Sequence, residues 1–67
     1  MTTLKTLRET QNMSQADVAW DMHVDRSTLA KWESGRNRPP LEAVIPLANL
    51  YHVSVERLIE VIVGVGF

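Results

Sequence analysis

The chain has 67 residues, 45% of them apolar and 22% charged, a globular composition that excludes an intrinsically disordered chain. With no cysteine it forms no disulfide, and two histidines alone do not close a zinc site, so stability must come from helix packing, a partner subunit, or both. A net charge of −1 excludes a uniformly basic coat, and the sequence shows neither a bilayer-spanning apolar run nor an export signal, which points to a cytoplasmic protein without a membrane role.

Leu4 and Leu7 open an apolar stripe on a first helix expected to run to about Gln11. Asn12, which tolerates the left-handed conformation, follows as its stop. Ser14-Gln15-Ala16-Asp17 reads as a capping box, with a hydroxyl for the first free amides and an acid three residues later. Val18, Ala19 and Met22 carry the second helix to His23. Asp25 is the next N-cap candidate, and Leu29 with Trp32 forms the apolar pair of a third helix that closes before Gly35. Trp32 is assigned to the core. Trp20 is expected to fold partly onto its own helix, with a partner-binding role as the rival.

Arg36-Asn37-Arg38-Pro39-Pro40 reads as a basic loop, and Leu41, Val44, Ile45, Ala48 and Tyr51 form the expected inner face of a fourth helix. Pro46 lies inside that helix and costs about 3 kcal/mol in a regular one, which predicts a kink or a later start. His52 ends the helix, Ser54 caps a fifth, and Val55, Leu58, Ile59 and Ile62 supply its stripe. From Val61 to Phe67 the apolar residues alternate, so a helix to Val63 and a strand from Val61 compete for the same positions. The fold expected is all-α: a compact five-helix domain over residues 1–60, then an apolar tail, 61–67, that is a candidate dimerisation segment.

The three residues His23-Val24-Asp25 join the second and third helices in a helix-turn-helix layout, which puts the second of the pair in the DNA major groove. The third helix suits that role. Arg26 and Lys31 are able to donate to guanine O6 and N7, Ser27 and Thr28 to bond phosphate or base, and the Thr28 methyl to meet thymine. Charge is distributed to match: Asp25 to Arg38 carries Arg26, Lys31, Arg36 and Arg38 against Asp25 and Glu33, a net of +2, while the rest sums to −3. Taken singly, each of these residues fits an ordinary solvated helix face. Their combination is what favours DNA.

Leu4 to Arg8, Met13 to Ala19, Arg26 to Gly35 and Val53 to Leu58, in this order and spacing, resemble the lambda-repressor-like (Cro/C1-type, XRE) helix-turn-helix domains over roughly Leu4 to Ile59. The resemblance implies five helices and a two-fold dimer on operator DNA. It implies that Gln15 contacts phosphate and supports the recognition helix, that Arg26, Ser27 and Lys31 face bases, and that Arg36, Asn37 and Arg38 follow the backbone. It makes Arg8 and Glu33 a structural ion pair between the first and third helices. The DNA-binding set expected is therefore Ser14, Gln15, Arg26, Ser27, Thr28, Lys31, Arg36, Asn37 and Arg38, with no catalytic residue, metal or cofactor. The chain departs from the family at His23 and His52, where glycine is usual, at Pro40, where a serine or threonine cap is usual, and at Trp20, where a polar residue is usual.

The function expected is a sequence-specific transcriptional regulator, a repressor bound as a homodimer to a pseudo-palindromic operator. One rival is an antitoxin that uses the same domain and also binds a protein partner through Trp20 and the tail. Another is a protein-interaction adaptor that binds no operator. An enzyme is the least supported class, because there is no cysteine nucleophile, no phosphate-cradling glycine loop and no paired-acid motif with a companion base.

Overall fold

The computed structural model describes residues 1–64 and forms five helices: α1 (Leu4–Thr10), α2 (Gln15–Met22), α3 (Arg26–Ser34), α4 (Leu41–Tyr51) and α5 (Val55–Val63). Among the described residues there is no strand, and no helix is long and apolar enough to cross a membrane. Helix α2 packs on α3 and α4 on α5, while α1 lies against both α3 and α5. Their shared core is Leu4, Val18, Leu29, Trp32, Ala43, Val44, Leu47, Ala48, Tyr51 and Leu58.

Local chemistry sets the helix boundaries. Ser14 Oγ accepts from the Asp17 amide at 3.0 Å, and the Asp17 carboxylate accepts from the Ser14 amide at 2.9 Å, so the capping box is complete. Thr3 and Thr6 build a second one at the start of α1, with threonine in place of the usual acid. Ser54 Oγ caps α5 through the Arg57 amide. Asp25 occupies the N-cap position of α3 in extended conformation, but its side chain makes no capping bond, contrary to expectation.

The two histidines end their helices by one device. His23 and His52 are both left-handed, at φ 57°, a region where histidine is among the better-tolerated non-glycine residues. The next amides, Val24 and Val53, each donate back to the helix at 3.0 Å, to Ala19 and Ala48. Both valines then pack against the core, the apolar contact that accompanies this kind of helix end.

Four expectations need correction or limits. Helix α4 turns Ala43, Val44, Leu47, Ala48 and Tyr51 inward, leaving Leu41 76% and Ile45 58% exposed. It begins at Leu41 and continues through Pro46. Both Pro46 and Glu42, whose carbonyl loses its amide donor, are exposed, a setting in which water can take the place of the missing bond. Trp20 is 83% exposed rather than folded onto its helix. A helical side chain leans toward the preceding turn, and there the sequence places only the small Ala16 and the polar Asp17. Finally, Val61 to Val63 are helical and Gly64 caps α5 with φ 76°, so strand pairing from Val61 does not occur; residues 65–67 of the tail lie outside the described residues.

Candidate nucleic-acid interface

Helix α3 divides by burial. Leu29 and Trp32 are buried, Thr28 is half-buried, and Arg26, Ser27 and Lys31 are exposed. The α2–turn–α3 packing therefore directs the polar side of α3 outward while its apolar side anchors it. Gly35, left-handed at φ 82°, ends the helix, and the Arg36 and Asn37 amides both donate to the Lys31 carbonyl, at 3.0 and 3.3 Å. That fold-back leads into the loop where Arg36, Asn37 and Arg38 are all exposed.

A second feature lies where α1, α2 and α3 converge. An open cleft of about 500 Å³ is lined by Lys5, Arg8, Ser14, Gln15, Ala16 and Arg26. It joins Lys5 and Arg26, beside the ion-paired Arg8, to the N-terminus of α2, an arrangement that favours an anion. Ser14, Gln15 and Arg26 come together here, whereas Arg36, Asn37 and Arg38 lie outside the cleft. Lys5 was missed in the sequence. Its signal was present, one turn before Arg8 on the same helix side, but no motif marked it.

Hydrogen bonds hold the cleft wall. Arg8 Nε donates to Glu33 Oε2 at 2.6 Å and Nη2 to Oε1 at 3.3 Å, while Nη1 donates to the Met13 carbonyl at 2.8 Å. Both side chains of this ion pair are almost wholly buried. The hydrogen bonding of Arg8 to the Glu33 carboxylate is the largest influence on the guanidinium and holds its pKa above the ordinary value despite burial. Glu33 Oε1 also accepts from Gln15 Nε2 at 3.1 Å, and Gln15 Oε1 accepts from Arg26 Nε at 3.4 Å. The buried Tyr51 hydroxyl has no hydrogen-bond partner among the described residues. Burial chiefly raises its pKa, with the nearby Glu33 charge adding to the effect. At the rim, the Ser14 amide and hydroxyl hold the Asp17 carboxyl below its usual value. The described residues contain no group of three or more histidine, cysteine or acidic side chains able to hold a metal ion.

Comparison with known proteins identifies the family. The model of a family described as helix-turn-helix domain matches residues 2–60. The HTH-type transcriptional activator BcrR of Enterococcus faecalis is 30% identical over 56 residues, which cover 84% of this chain and 28% of that protein. The chain thus spans less than a third of that relative's length. No solved structure matches the chain at a meaningful level.

Proposed function

The chain belongs to the helix-turn-helix domain family, and on that premise we propose that it is a sequence-specific, DNA-binding regulator of transcription of the Cro/C1 type. It acts in the cytoplasm as a homodimer on a pseudo-palindromic operator and represses the promoter it covers. Half-sites then lie about 34 Å apart on one face of the duplex, or a multiple of that. The reading rests on binding chemistry, with no catalytic step. The observation that carries it is the division of α3, with Arg26, Ser27 and Lys31 exposed at the surface and Leu29 and Trp32 buried beneath them.

In this reading Arg26, Ser27, Thr28 and Lys31 meet bases, while Ser14, Gln15 and the loop residues Arg36, Asn37 and Arg38 hold phosphates. Lys5 joins the phosphate group through the cleft. Selection of bound duplexes from a random pool tests the proposal, followed by affinities on the selected and on random sequence. Arg26→Ala is expected to cost about 1–3 kcal/mol at one base position and to relax preference there. Arg38→Ala is expected to weaken all sequences alike and reduce the salt slope by about 0.9. Equal losses on both duplexes for Arg26→Ala would refute its base-reading role. A reporter carrying the selected operator reads the sign of regulation: a fall in output supports repression, a rise supports activation.

Trp20 favours a second reading. An indole this exposed on α2 suits a protein contact, as in an antitoxin that neutralises a partner while binding DNA. Stoichiometric capture of one small protein by the wild type, lost in Trp20→Ser, supports that version.

A further inference from the structure

Helix α2 has an outer face that neither the core nor the proposed DNA contact uses. Its buried residues are Val18 and Ala19, and the opposite side presents Ala16, Asp17, Trp20 and Asp21, all exposed. From Gln15 to Asp25 the acids are Asp17, Asp21 and Asp25, and there is no lysine or arginine. Among the described residues none of these aspartates has a cationic partner. Asp17 and Asp21 stand four apart on the helix, where like charges repel each other. Trp20 lies three residues beyond Asp17 and is 83% exposed, and Ala16, four before it, is too short to cover the ring. An indole face is the best aromatic partner for a cation. The aspartates beside it repel phosphate, which sets this face apart from the DNA-binding one.

We propose that the outer face of α2 docks a lysine- or arginine-bearing segment of another protein, with the cation over the Trp20 ring and the Asp17 and Asp21 carboxylates beside it. The proposal rests on the protein-contact reading of Trp20 and adds to it the chemistry of the partner. An acidic partner is turned away by charge. A wholly apolar one would strip water from carboxylates and give them nothing in return. The chain's own cations do not serve, because Arg26, Lys31, Arg36 and Arg38 are occupied by DNA in the proposed complex. Partner and duplex take different sides of the domain, so it holds both at once.

The probe is a dye-labelled hexa-arginine amide, with hexaglutamate and a neutral alternating leucine–serine peptide as controls. In a proton–nitrogen correlation spectrum the indole N–H signal of Trp20 is expected to move saturably with the arginine peptide, while that of the buried Trp32 stays. Hexaglutamate should leave the Trp20 signal in place. Trp20→Leu keeps an apolar side chain without a π face and is expected to weaken the arginine peptide, read by anisotropy, about two- to fivefold, with Trp20→Phe between. Asp21→Asn is expected to weaken it about two- to fourfold. Asp17 is left in place because it caps α2. Both substituted positions are exposed, so folding is not at stake, and the duplex preferences of the variants should match the wild type. An arginine peptide whose affinity ignores both Trp20→Leu and Asp21→Asn would overturn the proposal, as would tighter binding of the leucine–serine peptide. Self-association lost in Trp20→Leu, read by sedimentation, would assign the face to a second copy of the chain instead. A changed base preference in either variant would place the face at the duplex and equally overturn it. None of these results touches the DNA-reading role of α3, which fails only if the wild type selects no duplex sequence.

Discussion

The helix-turn-helix half and the α4–α5 half of this small domain are held by different forces. Between α1, α2 and α3 the contacts include an aligned polar relay, from the Met13 carbonyl through Arg8, Glu33 and Gln15 to Arg26. Among the described residues no side-chain hydrogen bond or ion pair joins α4 to α5; that pair is closed by burial of Leu47, Ala48, Tyr51 and Leu58. Apolar burial is strong but indifferent to small rotations, whereas hydrogen bonds fix directions. A surface that must present particular side chains at particular angles benefits from the second kind. A scaffold needs only the first.

The sharpest way to break the contrast is to cut the relay at its buried end. Arg8→Met leaves the Glu33 carboxylate buried and unpaired, and is expected to cost about 3–5 kcal/mol in urea unfolding. A loss under 1 kcal/mol would show that Glu33 finds water or another donor. Next is Leu58→Ala, which empties a fully buried site in the apolar half and is expected to cost about 3 kcal/mol. The folded fraction of this variant should keep the wild-type base preferences, because no bond of the relay is touched. Altered preferences there would show that the two halves are coupled.

The smallest effect lies at the rim of the cleft. Ser14→Ala removes a cap and is expected to cost about 1 kcal/mol at neutral pH. The Asp17 carboxyl has a lower pKa folded than unfolded, so its contribution is present above the ordinary carboxylate value and is lost as pH falls through the folded one. The melting gap between wild type and Ser14→Ala should therefore narrow in acid. A gap that stays constant from neutral pH into acid would remove the capping box from the account.

Helix order and ends were legible because they depend on neighbours in the chain. Ser14 with Asp17, Ser54, Gly35 and the two histidines each declare a boundary within a few residues. The inward face of α4 was less legible. Leu41 and Ile45 share the period of Val44 and Ala48, and so do Ala43 and Leu47; only the position of α2 and α5 decides between these overlapping stripes. The same holds for the site. The exposed residues of α3 were readable from alternation of polar and apolar positions, and the Arg8–Glu33 pairing came from resemblance. The Gln15–Glu33 bond joins residues 18 apart and depends on how α2 crosses α3, which no local pattern encodes.

The two tryptophans differ in a practically useful way. Trp32 is sealed in the core and Trp20 stands 83% exposed on the outer side of α2. Their emission colours should differ accordingly, blue for the dry indole and red for the wet one. Trp20→Phe would leave a pure folding signal, and Trp32→Phe, where tolerated, a pure docking signal. The domain thus carries two optical probes of its own, one for its integrity and one for whatever approaches α2.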